Sequence, residues 1–277
     1  MKNKNNKFFK RPLSSHKPRK KKAFGQHFLR KQSVVDHMIE RVSITDQTSV
    51  LEIGCGDGFL THAILEQAPC KRLLVYEIDS EWVAFVREKI TDKRLEIKLE
   101  NVLDSDLSTL ESEKPWVLLA NIPYQITFPI LFLIQRNKDL FQEGVIMTQE
   151  EVAQKIVAKR GKPYSATTLF LQHHFDWELM EKVEPQAFSP PPKIFSRLLY
   201  FKPRYDQPKI VDEVEFWKFL KLCFHFPRQT LRNNFKSTSY DLEKINEKTL
   251  ALRAQQLSFQ DFLDVWSVVR ATAARPE

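Results

Sequence analysis

The chain has 277 residues, 42% hydrophobic and 12% aromatic, which is enough for a packed core and excludes a mainly disordered protein. The longest apolar run, residues 128–134, is far short of the ~20 residues that a membrane helix needs, and the basic N-terminus is not followed by the apolar segment of a secretory signal. Three scattered cysteines argue against a disulfide framework or a zinc site and favour a reducing, cytoplasmic compartment.

The net charge of +8 is concentrated at the N-terminus. Residues 1–22 contain ten basic residues and no acid, whereas the remainder has 33 basic and 35 acidic residues. Two prolines and this charge density oppose a stable helix, so we predict a disordered basic arm. The arm either only solubilises the protein or binds nucleic acid. Phe8 and Phe9 favour binding, because aromatic faces stack on bases. A transit peptide fits less well, because the arm is rich in lysine rather than arginine.

From residue 33 the sequence alternates between helical and strand patterns. A helical stripe begins at Ser33, the expected N-cap. Strands are then predicted over residues 49–54, 73–79, 95–99, 116–121 and 144–149, and helices near 60–68, 82–90, 130–134 and 150–159. Continuous apolar strands separated by helices indicate a parallel sheet covered on both faces. No helix is evident between the last strands, near 177–183 and 195–202, so we expect an antiparallel pair at one edge.

The pattern changes again at residues 202–209, which carry two prolines and are predicted to be a linker. Beyond the linker, apolar residues recur at helical spacing, for example Trp217, Leu220 and Phe224. We therefore predict a tail over residues 1–22, an α/β domain over 23–203 and a small α-helical domain over 204–277.

Three of the six glycines, Gly54, Gly56 and Gly58, directly follow the first predicted strand. A strand, a glycine turn and a helix are typical of a nucleotide-binding turn in an open α/β sheet. Glu77, at the end of the next strand, can accept hydrogen bonds from ribose hydroxyls. Because the spacing is GxGxG and no basic residue in the turn could meet a pyrophosphate, S-adenosylmethionine fits better than a dinucleotide. The alternative is a tight structural turn with a surface glutamate.

The strand predicted over residues 116–121 ends in the motif Asn-Ile-Pro-Tyr, at the same edge of the sheet. Asn121 offers a neutral carbonyl acceptor, Pro123 fixes the backbone, and Tyr124 supplies a flat aromatic face. These groups fit an exocyclic amine on a planar base: two carbonyls accept its hydrogens, and its lone pair is directed at a methyl donor. Positioning and electrostatics then supply most of the catalysis. The alternative is an ordinary Asn-Pro turn.

These motifs resemble those of the adenine-N6 dimethyltransferases of ribosomal RNA, in particular the KsgA type that modifies small-subunit RNA. The matching segments are residues 24–29, 52–58, 77–79, 121–124 and 188–193, and the similarity extends from about residue 20 to the C-terminus. The resemblance implies a Rossmann-like class I methyltransferase sheet with a small C-terminal α-helical domain. The residues that it implies at the cofactor are His27, Leu29, Gly54, Glu77, Asn101 and Asn121. The resemblance also implies Asn121, Tyr124 and Phe188 as catalytic residues. The Phe188 ring would stack on one face of a flipped adenine; the alternative is that Phe188 packs in the core.

Two positions depart from the family pattern. Asn101 stands where the family usually has an aspartate that binds the adenine amine of the cofactor. An amide carbonyl can still accept from an amine, but without the charge. Asp104 could substitute only if the loop shifted. His27 stands where the family often has asparagine, and both departures bear on cofactor affinity rather than on the reaction.

Arg228, Arg232 and Lys236 are four residues apart, and no acid lies between residues 216 and 240. This spacing predicts one basic helical face that contacts RNA phosphates, the alternative being a solvated surface.

The sequence thus predicts an S-adenosylmethionine-dependent RNA adenine-N6 methyltransferase. The resemblance implies two adjacent adenosines in the 3′-terminal hairpin of small-subunit ribosomal RNA as substrate, within the RNA or a pre-30S particle. We expect a monomer that needs no metal and no membrane. One alternative is methylation of large-subunit RNA, as in the related antibiotic-resistance enzymes; another is a non-catalytic RNA-binding or assembly factor. DNA adenine or protein glutamine methylation would leave residues 24–29 and 188–193 unexplained.

Overall fold

The computed structural model describes Pro18 and residues 27–273, with side chains described as far as residue 270. Residues 24–26 and the predicted basic arm, apart from Pro18, lie outside the described residues. The described chain forms two compact units, one of residues 27–153 with Asp176–Pro203 and the other of Gln154–Phe175 with residues 204–273. The second unit therefore includes residues 154–175, which the sequence analysis placed in the α/β domain.

A seven-stranded mixed sheet forms the centre of the first unit. Its strands are β2 (Ser49–Ile53), β3 (Arg72–Glu77), β4 (Leu95–Leu99), β5 (Trp116–Asn121), β6 (Phe141–Gln149), β7 (Phe175–Val183) and β9 (Ser196–Pro203). Their order is β4-β3-β2-β5-β6-β9-β7. The first five are parallel, as predicted, and β9 is antiparallel to β6. The last two strands in the sequence are neighbours at one edge, as expected. A separate antiparallel pair joins β1 (Phe28–Leu29) to β8 (Phe188–Ser189).

Helices connect most of the strands of this unit: α1 (Gln32–Glu40), α2 (Phe59–Gln67), α3 (Ser80–Lys89), α4 (Thr127–Arg136) and α5 (Glu150–Val157). All five were predicted, within a few residues at each end. The predicted cap of α1 is wrong, because the helix begins one residue before Ser33 and has Lys31 at the N-cap position. At α3, Asp79 caps the helix by accepting a hydrogen bond from the Glu81 N–H at 3.1 Å.

The central strands β2 and β5 are largely apolar because both faces of the sheet are covered there. Every residue of β2 is buried, and so are the first five residues of β5. Val50, Val75 and Val117 belong to one cluster of buried side chains with the apolar residues of α1, α2 and α3. A parallel sheet covered in this way needs continuous apolar runs rather than alternation.

The sheet order places a crevice beside β2. The chain adds β3 and β4 on one side of β2, and β5 and β6 on the other. In open α/β sheets, ligands bind outside the carboxyl ends of the strands where the order reverses in this way. The glycine turn follows β2 and Asn121 ends β5, so both predicted motifs lie at this crevice.

The second unit is helical, with α6 (Ala166–His174), α7 (Glu213–Cys223), α8 (Leu231–Asn234), α9 (Glu247–Leu250) and α10 (Phe259–Ala273). The sequence analysis missed α6, which Ser165 caps by accepting from the Thr168 N–H at 3.2 Å. Leu169 of α6 packs in one core with Phe216 and Phe262, which is why this segment belongs to the second unit. None of the described helices combines the length and the apolar character that crossing a membrane requires.

Candidate active site

A cavity of about 240 Å³ opens in the first unit at the carboxyl ends of β2, β3 and β5. One water needs only ~10–15 Å³ on such a measure, so the cavity has room for an organic ligand. The predicted site residues that line it are His27, Leu29, Gly54, Glu77, Asn101, Asn121 and Tyr124. Phe28 and Glu52 also line it, although the sequence analysis assigned neither a role.

The glycine turn is required by backbone conformation and by one close contact. Gly54, Gly56 and Gly58 have φ angles of +78°, +52° and +84°, which favour glycine. A Cβ atom on Gly56 would lie 2.8 Å from a carbon of the Phe28 ring. Nothing lies within 4 Å of a Cβ atom on Gly54, so the cavity is open above that residue. The Phe28 ring therefore leaves no room for a larger residue than glycine at position 56. At position 54, glycine leaves space for a ligand to approach the backbone.

Glu77 joins the end of β3 to the glycine turn. One carboxylate oxygen accepts from the N–H groups of Ile78 and Asp79 at 2.9 and 3.0 Å. The other accepts from the Gly56 N–H at 3.2 Å. The residue is only 7% exposed, so the alternative of a surface glutamate is wrong. These bonds hold the carboxylate at the cavity wall.

Glu52 is a fully buried carboxyl group beside the same cavity. Its Oε2 accepts from the Thr61 hydroxyl at 2.7 Å, whereas its Oε1 has no hydrogen-bond partner among the described residues. Burial raises the pKa of Glu52 to about 8; the charge of Glu77 adds to this effect, and the Thr61 hydrogen bond opposes it.

The hydrogen bond of Asn121 determines which way its amide points. Its Nδ2 donates to the His27 carbonyl at 3.2 Å. Because a carbonyl only accepts, the nitrogen must face His27. No described residue donates to the Asn121 Oδ1, which leaves this oxygen as a neutral acceptor at the cavity.

Tyr124 and His27 form an aromatic wall of the cavity. Their ring centroids are 5.7 Å apart with an interplanar angle of 28°. The Tyr124 hydroxyl forms a 2.7 Å hydrogen bond with the Ser196 hydroxyl, and burial raises the pKa of Tyr124, so the ring remains neutral. The His27 Nδ1 donates to the Pro190 carbonyl at 2.8 Å, which fixes the orientation of the imidazole.

A bidentate ion pair attaches β1 to the glycine turn. The Arg30 guanidinium donates to both carboxylate oxygens of Asp57, at 3.1 and 2.6 Å. Arg30 also donates to the Leu29 carbonyl at 2.7 Å. The sequence shows no basic residue within the turn, and only the fold brings Arg30 to it. The pair holds the segment carrying His27 and Leu29 over the cavity.

The family profile described as ribosomal RNA adenine dimethylase matches residues 17–270 of the chain. The chain belongs to the ribosomal RNA adenine dimethylase family. A relative named ribosomal RNA small subunit methyltransferase A, from Mesomycoplasma hyopneumoniae, is 36% identical over 253 residues, covering 89% of this chain and 95% of the relative.

Solved structures share the fold of this family member. A dimethyladenosine transferase from Plasmodium falciparum has a TM-score of 0.75 at 24% identity, over 89% of this chain and 98% of that one. The 23S rRNA methyltransferase ErmE has a TM-score of 0.67 at 20% identity, over 88% of this chain and 99% of that one. The α/β fold predicted from the sequence, that of class I methyltransferases, is thereby confirmed.

Asn101, one of the two departures from the family pattern, uses its amide within its own loop. Its Oδ1 accepts from the Leu103 N–H at 3.1 Å, and its Nδ2 donates to Asp104 at 2.7 Å. Asn101 lines the cavity together with Val102 and Leu103, and Asp104 supports it from behind. The loop therefore keeps Asn101, rather than Asp104, at the cavity wall.

The structure does not bring Phe188 to the cavity. Its side chain is 5% exposed and belongs to the hydrophobic core of the first unit. Phe188 pairs with Leu29 across the β1–β8 ladder, which turns its ring into the core. In this conformation the ring faces the core rather than the cavity, and its stacking on a target base stays a prediction.

The prediction that Arg228, Arg232 and Lys236 share one helical face is wrong. The helix α8 spans only Leu231–Asn234, so Arg228 precedes it and Lys236 follows it. The Asn234 side chain accepts from the Phe226 N–H at 2.8 Å and closes a turn that interrupts the helix. Arg228 and Lys236 are exposed, and Arg232 forms an ion pair with Glu247. Contact with RNA phosphates remains a prediction for these residues.

One group of side chains in the second unit has donor atoms close enough to hold a metal ion. His173, His174 and Glu213 each offer one such atom, all within 4.8 Å of one another. The Glu213 carboxylate already accepts from the Trp217 N–H at 3.0 Å and lies 3.3 Å from the His174 Nε2. The group is separate from the cavity-lining residues, and the expectation that the reaction needs no metal stays a prediction.

Proposed function

We propose that the protein is an S-adenosylmethionine-dependent methyltransferase that N6-dimethylates two adjacent adenosines in the 3′-terminal hairpin of small-subunit ribosomal RNA, coupled to ribosome assembly. Membership of the family supports the reaction, and the name of the Mesomycoplasma relative supports the subunit. The observation that carries the proposal is the Asn121 amide, whose nitrogen is bound by the His27 carbonyl and whose oxygen is a free acceptor at the cavity.

The cavity residues fit the cofactor. When bound, S-adenosylmethionine supplies an electrophilic methyl group on a sulfonium cation. Glu77 offers a carboxylate for ribose hydroxyls, and Gly54 leaves room for close approach. The unpartnered, buried Oε1 of Glu52 is a position that a cationic or N–H group of a ligand would satisfy. The other residues proposed to hold the cofactor are His27, Leu29, Asn101 and Asn121.

The end of β5 supplies acceptors for the amine of the target adenine. The Asn121 Oδ1 accepts one hydrogen, and the backbone carbonyl of Ile122 is the candidate for the other. The Pro123 carbonyl already accepts from the Ile126 N–H at 3.0 Å, whereas no hydrogen bond reaches the Ile122 carbonyl in the part of the chain that the structure describes. Holding both hydrogens turns the N6 lone pair out of the ring toward the methyl donor, while Tyr124 stacks on the base.

The RNA must present its adenosine outside a duplex, because a stacked and paired base cannot enter this cavity. Arg228, Arg232 and Lys236 are proposed to contact phosphates at separate places on the surface, Arg228 and Lys236 as exposed cations and Arg232 beside its ion-pair partner Glu247. The three cysteines are free and buried, in accord with a reducing compartment. We therefore place the protein in the cytoplasm, as a monomer acting on small-subunit RNA or on a pre-30S particle.

Methyl transfer from labelled S-adenosylmethionine tests the proposed substrate. Unmodified small-subunit particles and, separately, large-subunit RNA serve as acceptors, and the modified base is mapped. We expect dimethyladenosine in the small-subunit 3′ hairpin. Label only in large-subunit RNA would indicate an enzyme of the antibiotic-resistance type. No label, despite binding of cofactor and RNA, would favour a non-catalytic assembly factor.

Substitution of Asn121 tests the chemistry itself. Asn121→Ala should lower kcat by roughly 10²–10³-fold while RNA binding survives, because a positioned acceptor is lost. Tyr124→Phe keeps the stacking face and should retain most activity, whereas Tyr124→Ala should not. Asn137→Ala is the matched control, because the Asn137 side chain donates to the Leu133 carbonyl at the end of α4 and to no other residue that the structure describes. Full turnover by Asn121→Ala would refute its role.

A further inference from the structure

An exposed apolar stretch lies at the same edge of the sheet as the cavity. Ile194 and Phe195 are 44% and 42% exposed. They precede Ser196, the first residue of β9, which pairs with Gln149 at the end of β6. Because β6 is parallel to β5, this end of β6 lies at the edge where β5 ends. The hydrogen bond between the hydroxyls of Ser196 and Tyr124, at 2.7 Å, attaches the stretch to the cavity wall.

The backbone of this stretch is held at both ends. The Phe195 carbonyl accepts from the Glu150 N–H at 3.0 Å. The Pro190 carbonyl accepts from the His27 imidazole at 2.8 Å. Between them, three prolines at 190–192 restrict the backbone. A surface that is ordered before binding loses less entropy when a ligand docks.

Positive charge lies beside the exposed ring. The Lys182 Nζ lies 3.9 Å from the centroid of the Phe195 ring. Lys182 and Lys193 are both exposed, and neither forms an ion pair with any residue that the structure describes. The neighbouring acid Glu150 is occupied by Arg197, at 2.6 and 2.8 Å. An exposed aromatic face among free cations is the combination that binds single-stranded nucleic acid.

We propose that Phe195 is a stacking platform for an unpaired nucleobase beside the target adenosine, with Lys182 and Lys193 on the adjoining phosphates. We call Lys182, Lys193, Ile194 and Phe195 the Phe195 patch. The inference rests on the proposed function for the identity of the RNA. The geometry that carries it is the exposed ring, its fixed backbone and its link to the cavity wall through Ser196. The patch holds the strand next to the base that enters the cavity.

The test measures binding and catalysis separately. Binding of a fluorescein-labelled 3′-terminal small-subunit hairpin is followed by anisotropy without cofactor, and methylation is measured on unmodified small-subunit particles. Phe195→Ala should weaken hairpin binding by about tenfold, since one base–aromatic stack is worth roughly 5- to 150-fold in affinity. Phe195→Trp should bind as well as the wild type. The KM for RNA should rise in Phe195→Ala, with kcat at saturating RNA and the affinity for S-adenosylmethionine unchanged.

Charge variants provide an independent measurement. Lys182→Gln and Lys193→Gln should each make the plot of log K against log salt shallower by about 0.7–0.9. Lys93→Gln is the matched control, because this exposed lysine precedes β4 and so lies at the opposite edge of the parallel strands. Phe132→Ala, on α4, controls for loss of an exposed ring, being 38% exposed.

Each result bears on the patch or on the function beneath it. Hairpin binding by Phe195→Ala within twofold of wild type, with unchanged salt slopes for the lysine variants, would overturn the patch. Weaker binding of Phe195→Ala to particles but not to the hairpin would assign the surface to a protein partner and also overturn it. A wild-type chain that binds the hairpin but methylates no small-subunit particles would refute the enzyme but leave the patch standing.

Discussion

Replacing Glu52 with glutamine should change how the stability of the protein depends on pH. In the folded protein, burial raises the pKa of Glu52 to about 8 from an ordinary value of 4.5. The unfolded chain therefore releases this proton near pH 4.5, whereas the folded chain retains it until about pH 8. Because the unfolded state binds fewer protons between these values, the free energy of unfolding falls as pH rises through that window.

The size of the effect follows from the two pKa values. At ~1.4 kcal/mol per pH unit, the wild type loses ~5 kcal/mol of its free energy of unfolding as pH rises from 4.5 to about 8. Glu52→Gln has no proton to release at this position and keeps that stability. Glutamine has nearly the same shape, and its Oε1 can still accept from the Thr61 hydroxyl. At ~2–4 °C per kcal/mol for a domain of this size, the variant should gain ~10–20 °C in melting temperature relative to wild type between pH 4.5 and 8.

Thermal unfolding of both proteins, followed by circular dichroism at half-unit steps of pH, measures this difference. Glu88→Gln is the matched control, because Glu88 is an exposed residue of α3 and its curve should parallel that of the wild type. If the curves of Glu52→Gln and wild type run parallel from pH 4.5 to 8, Glu52 titrates normally. Burial would then not raise the pKa of Glu52.

Two further outcomes can be checked on the same material. Gly56→Ala should lose ~2–4 kcal/mol of stability, because its Cβ atom would lie 2.8 Å from the Phe28 ring and φ is +52°. Gly54→Ala, where only the positive φ is unfavourable, should lose ~1–2 kcal/mol. If chemical denaturation gives the same loss for both variants, the contact between residue 56 and the Phe28 ring does not matter. Deletion of residues 1–22 should make the salt dependence of RNA binding shallower, and an unchanged slope would make the basic arm a bystander.

Much of the first unit was predictable because its signals are local. The strands β2, β3 and β5 are mainly apolar runs, β4 alternates, and the helices between the strands follow a 3.6-residue period. The glycine turn is visible in the sequence as three closely spaced glycines, and Gly54, Gly56 and Gly58 all have positive φ in the structure. The helix α6 was missed although it is as long as α2, because it follows α5 without an intervening strand and so departs from the alternation of helices and strands. Its attachment to the second unit depends on core contacts made by residues distant in the sequence.

The sequence alone determined the order of strands and helices, the glycine turn and the motif at the end of β5, since each depends on residues that are neighbours in the chain. Tertiary structure decided what those residues touch. It buried Phe188 in the core, placed Arg228 before and Lys236 after the short helix α8, and left Phe195 exposed. It also gave Glu52 a buried oxygen without a partner. Burial and pairing arise only when distant segments pack together, so no local pattern contains them.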